Sequence, residues 1–222
     1  MYVAEIWRYP VKSMGGERVA EANVGSLGLE GDRIVHVEDA RGRVITARTH
    51  PKLLGLRVSL DPRGDPVVNG RLWTDRRITA VVETIVGAGA RLVRDDRLDR
   101  FDVLPLLVAT DGAISAFGYD RRRLRPNLVI GGVHGLDERT WQGRRLHIGN
   151  VIIALADLRR RCVMTTFDPD TLAQDHQVLR TIVERFDGTL ALNASVVNPG
   201  RVREGDRVDL LAPSRAAAGS TP

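Results

Sequence analysis

The sequence predicts a mostly β, α+β fold, and three observations carry that prediction. Short runs of β-forming residues recur between Gly, Pro, Asn and Asp. Only three stretches carry helical spacing, and there is no repeat, heptad or low-complexity core. Many short strands with few helices point to a barrel or a mixed β-rich architecture.

In chain order, "YVAEIWR" (2–8) and "RVAEANVGSLG" (18–28) open the chain as strands. "RIVHVED" (33–39) and "ARGRVITA" (40–47) read as a hairpin about Arg41-Gly42. "LLGLRVSL" (53–60) has the apolar density of a buried strand, which "DPRGDP" (61–66) ends. "RRITAVVETIVG" (76–87) reads as a helix despite its β-branched content. The apolar strand "PLLVA" (105–109) feeds a second helix at "TDGAISAFG" (110–118), capped by Thr110 or Asp111. "DHQVLRTIVERF" (175–186) is the clearest helix: Asp175 suits the N-cap, and Val178, Leu179, Ile182, Val183 and Phe186 share one face. "ASVVNPGRVREGDRVDLLAP" (194–213) reads as two strands with Pro-Gly and Glu-Gly-Asp turns. The small, polar tail at 214–222 is expected to be disordered.

Composition narrows the function classes. With 222 residues and 43% hydrophobic content, the chain is long enough for one large domain or two small ones. One cysteine excludes an internal disulfide and a cysteine-ligated iron–sulfur cluster within this chain. Glu5, Arg8 and Lys12 stand where a signal peptide needs an apolar core, and no apolar run is long enough to span a membrane. These features predict a reduced, cytoplasmic protein. The net charge of +5 is almost entirely arginine, since only Lys12 and Lys52 are lysines. An ordinary solvated arginine-rich surface and sites for phosphate or carboxylate both fit that composition. Nucleic acid is a poor match, because aromatics are 5% of residues and the arginines are spread along the chain.

Several motifs are missing. His36, His50, His134, His147 and His176 have no metal-ligand spacing and read as scattered surface or turn residues. "GAGARL" (87–92) lacks the rest of a dinucleotide fingerprint, and neither a GxSxG elbow nor a Walker loop is present. What remains is four stretches that place cationic or amide donors beside turn residues. They are "RYPVKSMGGE" (8–17), "GLEGDR" (28–33), "RRRLRPNL" (121–128) and "RRRCVMTTFDPD" (159–170). Each has a local explanation, and a lone cysteine is commonly a small buried hydrophobe. Together they meet one demand. A soft metal needs a thiolate, guanidinium groups favour the charged form of a thiol, and a phosphorylated cofactor needs Lys and Arg.

In this order the segments resemble the MOSC-domain proteins, which share a domain with the C-terminus of the molybdenum-cofactor sulfurase. The likeness is to the branch containing the mitochondrial amidoxime reducing component and its bacterial relatives. It rests on "YPVKS" (9–13), "GLEGDR" (28–33), "RPNLVI" (125–130), "WQGRRLHIG" (141–149), "RCVMTTFDPDT" (161–171) and "NPGRVREGDRV" (198–208). The resemblance implies a MOSC β-barrel from residues 1–33 and 98–213, with a small α/β subdomain of the MOSC N-terminal type inserted at 34–97. It implies a molybdenum cofactor (Mo-pyranopterin) and no pyridoxal phosphate. Cys162 would be the catalytic thiolate ligand to molybdenum. Lys12, Ser13 and Arg33 from the first part of the chain, and Thr110, Arg125 and Asn127 from the second, would hold the cofactor. Arg161, Thr165 and Thr166 would complete its surroundings. Asp168 would act at the site or be simply the turn acid of "DPDT".

The implied activity is an oxidoreductase that reduces N-hydroxylated compounds (amidoximes, hydroxylamines or N-oxides). Electrons would come from a separate ferredoxin- or cytochrome-type donor and its reductase, with no nucleic-acid or membrane partner. A persulfide on Cys162, for sulfur transfer or cofactor maturation, is the alternative. Two departures stand out: Ala113 replaces a serine common in relatives, and the segment between Arg33 and about Asp96 is compact.

Overall fold

The computed structural model describes residues 1–95 and 100–212. The tail expected at 214–222, and the domain boundary expected between 97 and 98, lie outside the described residues. The first half of the chain forms β1 (Tyr2–Arg8), β2 (Glu17–Val19), β3 (Glu21–Gly25), β4 (Gly28–Leu29), β5 (Val35–Glu38) and β6 (Val44–Ile45). It continues with β7 (Val58–Leu60), β8 (Pro66–Val68), β9 (Arg71–Leu72), α1 (Arg76–Val86) and β10 (Arg91–Arg94). The second half forms β11 (Leu106–Thr110), α2 (Asp111–Phe117), β12 (Leu128–Gly131), β13 (Arg145–Ile148) and β14 (Val151–Arg160). It ends with α3 (His176–Phe186), β15 (Thr189–Asn198), β16 (Gly200–Arg203) and β17 (Asp209–Leu211). The described chain is mostly β, as the short alternating runs predict.

An eight-stranded sheet in the order β17-β13-β14-β15-β11-β12-β1-β2 organises the molecule. Its one parallel pair is β11 with β12, because α2 supplies the crossover that parallel neighbours need. Val3, Ile6, Leu128, Ile130, Leu146, Ile153 and Leu192 build the core on this sheet. A second core holds Val11, Met14, Val35, Val37, Leu53, Val58, Val68, Ile78 and Val82, and so gathers β5, β7, β8 and α1. A third packs α2 against α3 through Phe117, Leu124, Val178, Ile182 and Phe186. The helical caps follow side-chain chemistry: Asp75, Thr110 and Asp175 each accept from a backbone N–H of the first turn.

Four local expectations are corrected. The run 53–60 is not one strand, since Pro51–Gly55 is a 3-10 turn that buries Leu53 and only Val58–Leu60 is extended. Proline at its start has the φ that a helical turn requires and lacks the N–H that would go unpaired there. The run 18–28 divides into β2, β3 and β4, and the C-terminal run contains three strand segments rather than two. His36 is neither a surface nor a turn residue. It lies buried on β5, with Glu38 Oε1 3.2 Å from Nε2 and Asp95 Oδ2 3.5 Å from Nδ1. Both faces of β5 are covered, so simple alternation misplaces it.

Behind α2 lies a buried carboxyl with a measurable consequence. Thr110 Oγ1 donates to Glu138 Oε2 at 3.0 Å, while Glu138 Oε1 is buried without a partner among the described residues. Burial raises the Glu138 pKa above its ordinary 4.5, against the Thr110 hydrogen bond that lowers it. The fold therefore favours the protonated carboxyl. That contribution is complete below the unfolded value and is lost as pH rises through the folded one. Glu138→Gln is expected to raise the melting temperature at about pH 8 and to lose this advantage towards about pH 4. A pH series of thermal melts reads the difference.

Candidate functional site

A cavity of about 440 Å³ opens where the C-terminal end of β14 meets the loops after β1 and before β12. Lys12, Ser13, Arg33, Arg125, Asn127, Arg161, Cys162 and Thr165 all line it. Thr110, Thr166 and Asp168 lie outside that lining. Its wall is strongly cationic. Lys12, Arg33, Arg48, Arg123, Arg125, Arg159, Arg160 and Arg161 line it, and among the described residues Asp102 and Asp157 are its only lining carboxylates.

The floor is fixed by a buried carboxylate absent from the sequence-based set. Asp32 is fully buried, and its Oδ1 accepts from Tyr9 N at 2.7 Å. Its Oδ2 accepts from Asn127 Nδ2 at 3.2 Å and from Arg33 Nη1. Asn127 Nδ2 also donates to Trp7 O at 3.3 Å, while its Oδ1 accepts from Leu107 N at 3.1 Å. One amide thus joins β1, Asp32 and β11 at the start of β12. The Tyr9 ring stacks beneath two guanidinium groups, Arg125 at 4.2 Å and Arg33 at 5.4 Å. Gly16 makes room for that ring, because a Cβ there would lie 2.6 Å from Arg8 O and overlap the Tyr9 side chain. Burial raises the Tyr9 pKa and keeps its hydroxyl neutral.

Three lining residues hold left-handed backbone conformations that L-residues rarely adopt: Ser13 (φ 68°), Arg33 (φ 54°) and Arg125 (φ 54°). Such strain of about 1–3 kcal/mol per residue persists where the surroundings over-determine the chain. Here the restraints are explicit. Arg33 N donates to Tyr9 O at 2.8 Å, and Arg125 Nη1 donates to Met14 O at 2.6 Å.

Cys162 stands just beyond β14. Arg161 N donates to Gly188 O at 2.9 Å, which ties the end of β14 to the start of β15. The carbonyl of Cys162 accepts from Thr165 N at 3.0 Å and from Thr165 Oγ1 at 2.8 Å, starting a 3-10 turn over Val163–Thr166. Arg123 clamps this turn by donating to Thr166 O at 2.9 Å and to Asp168 Oδ2 at 3.0 Å. Asp168 caps the turn that follows. The backbone N–H groups of Thr171 and Asp170 lower its pKa, assisted by Arg123. Thr166 Oγ1 donates to Val163 O at 2.7 Å, and Thr110 caps α2. Asp168, Thr166 and Thr110 therefore support the frame.

Among the described residues there is no group of three or more His, Cys, Asp or Glu side chains suited to a metal ion. A metal in this cavity would take Cys162 as its protein ligand and bring its other ligands with it. The cationic wall suits the anionic part of such a group. Arg161 Nη2 donates to Leu124 O at 2.6 Å, but its buried Nε has no partner among the described residues. Burial lowers the Arg161 pKa to about 10, with Cys162 opposing that shift and Arg159 and Arg125 adding to it. Burial lowers Arg125 to about 10 as well. A bound anion would relieve both.

The arginine runs marked this region in the sequence without indicating which side chains face inward. Asp102 is the larger omission. It accepts from Lys12 at 2.9 Å and Arg48 at 2.7 Å, with Arg159 at 3.5 Å. Only long-range folding brings residues 12, 48, 102 and 159 together.

Residues 1–82 match the family described as the MOSC N-terminal beta barrel domain, and residues 112–209 match the MOSC domain. The mitochondrial amidoxime reducing component 2 of Macaca fascicularis is 26% identical over 76% of this chain and 67% of its own length. The mitochondrial amidoxime-reducing component 1 of Mus musculus is 25% identical over 94% of this chain and 82% of its own. The YUAD protein from Bacillus subtilis shares the fold at a TM-score of 0.52, with 11% identity and 94% of each chain covered. Two matched domains in order, on a fold whose cavity gathers Lys12, Arg125, Asn127 and Cys162, identify the chain as a member of the MOSC-domain proteins.

Proposed function

We propose that this protein is a molybdenum-cofactor oxidoreductase that reduces N-hydroxylated compounds. One observation carries the reading: a single thiol, Cys162, lies in a cavity whose charged lining side chains, among the described residues, are cationic except for Asp102 and Asp157. That donor set fits a cofactor that supplies most of the metal's ligands and carries a phosphate. Lys12, Ser13, Arg33, Arg125 and Asn127 would hold the anionic and amide edges, and Cys162 would be the protein's ligand to the metal. The names of the relatives support the same chemistry.

When bound, the cofactor would supply two-electron redox chemistry. The overall reaction takes an N–OH substrate, two electrons and two protons to the N–H product and water. Electrons come from a separate donor protein. This chain's contribution is to bind, orient and shield. Its guanidinium wall favours oxygen-bearing, electron-rich groups over cations. Arg123 keeps the turn after Cys162 in place, and Asp32 keeps Arg33 and Asn127 aligned with each other. Among the described residues no helix is long and apolar enough to cross a membrane.

The test is purification from a host that makes molybdenum cofactor, with metal quantified and amidoxime reduction assayed using an artificial electron donor. About one molybdenum per chain together with amidoxime turnover is the expected result. Metal-free protein carrying a titratable persulfide would overturn this reading in favour of sulfur transfer.

A further inference from the structure

Among the described residues, the cavity mouth gathers more positive charge around Asp102 than that carboxylate can balance. Lys12 Nζ lies 2.9 Å from Asp102 Oδ1, Arg48 Nη2 lies 2.7 Å from Oδ2, and Arg159 Nη2 lies 3.5 Å from the same oxygen. Three cations therefore share a single negative charge. Lys12 has a second acceptor in Arg100 O at 2.9 Å, so its donors are well used. Arg48 is different, because its side chain is 45% exposed and Asp102 is its sole ion-pair partner among the described residues. Arg159 has only a long contact to Asp102 and a 3.4 Å contact to Asn193 Oδ1. Burial weakens its charge, and the neighbouring Arg33 and Arg48 weaken it further, against Asp102 and Cys162.

Arg48 and Thr46 are the only lining residues from the described part of the 34–97 segment. Arg48 also adjoins Cys162, whose sulfur supports its charge together with Asp102 against the cost of burial. Beside these cations the wall turns apolar at Phe101, Val103 and Met164, and the Val103 side chain is exposed. The mouth thus presents two under-neutralised guanidinium groups next to a hydrophobic patch and close to the thiol.

We propose that Arg48 and Arg159 form an anion subsite at the cavity mouth, which selects N-hydroxylated substrates carrying an acidic group on an apolar or aromatic body. This rests on the molybdenum-reductase reading and adds the substrate class. The two guanidinium groups bind the carboxylate, and Phe101, Val103 and Met164 cover the body. Asp102 keeps Arg48 extended towards the opening.

The test compares benzamidoxime, 4-carboxybenzamidoxime and the cationic 4-(aminomethyl)benzamidoxime on the purified holoenzyme. The carboxylated substrate is expected to show a KM about 10-fold below that of the neutral one, and the cationic substrate the highest. Arg48→Met should shrink the carboxylate-to-neutral ratio to about one, whereas Arg48→Lys should recover part of it. The non-reducible probe 4-carboxybenzamide, titrated by calorimetry, should bind about 10-fold more tightly than benzamide and lose that advantage in Arg48→Met. Equal affinity for charged and neutral probes, or preference for the cationic compound, overturns the subsite. Molybdenum content and turnover of benzamidoxime itself report separately on the underlying reading.

Discussion

Cys162→Ala is expected to purify with molybdenum at background level and to reduce no amidoxime, and the wild type is expected to carry about one metal per chain. Cys162 is the only thiol of the chain, and the described residues offer no group of other ligands that could take its place. The loss should not come from unfolding. The Cys162 side chain is half-buried and makes no capping bond, and the turn it begins is held through its backbone carbonyl. Substitutions of this kind usually move stability by less than about 1 kcal/mol. Thermal melts of the two proteins should therefore nearly superpose while their metal contents differ. Cys162→Ser sharpens the comparison, because a hard oxygen ligand replaces a soft sulfur at almost the same volume. Should Cys162→Ala keep the metal content of the wild type, the thiolate would have no part in holding it.

The second large effect is structural. Asp32→Ala is expected to cost about 3–5 kcal/mol of folding stability, the usual loss when one partner of a buried ion pair is removed. Asp32 joins the Tyr9 amide, the Asn127 side chain and the Arg33 guanidinium, and its removal takes an acceptor from each of them and the ion-pair partner from Arg33. Asp32→Asn keeps the volume and one acceptor oxygen, so its cost should fall between wild type and Ala. Urea unfolding measures the loss. Pairing the change with Arg33→Ala in a double-mutant cycle measures the coupling, expected to exceed about 1 kcal/mol. Additive effects would mean that Asp32 and Arg33 act independently.

The contrast between these two residues explains what the sequence disclosed. Cys162, Lys12, Arg125 and Asn127 stand in short polar segments whose chemistry is unusual for a turn, and the fold brings them to one cavity. Asp32 stands in such a segment too, but "GLEGDR" offers Glu30 and Asp32 as equivalent partners. Only tertiary packing makes Asp32 the buried one. Arg48 gave no signal, because its position beside Cys162 depends on contacts distant in sequence. Thr110 and Asp168 were legible as caps from local pattern alone, and capping is the role they play here. The helix at 176–186 followed directly from apolar spacing, and the one at 76–86 formed despite its β-branched content. At 51–55, proline and glycine outweighed the apolar run, and a 3-10 turn replaced the expected strand.

The order of strands in the large sheet also constrains how the protein is made. β12, which Asn127 precedes, lies between β1 at the very start of the chain and β11, and β11 pairs in turn with β15 near its end. The Cys162 segment is likewise tied to Gly188, at the entry to β15. A growing chain on the ribosome therefore has no complete cavity until residues near Asn198 have emerged. Pairing across such separations is also slow compared with local helix formation. Whatever the cavity receives must be delivered after synthesis, to a finished or nearly finished polypeptide. Filling of the cavity and translation are thus separate events in the life of this protein.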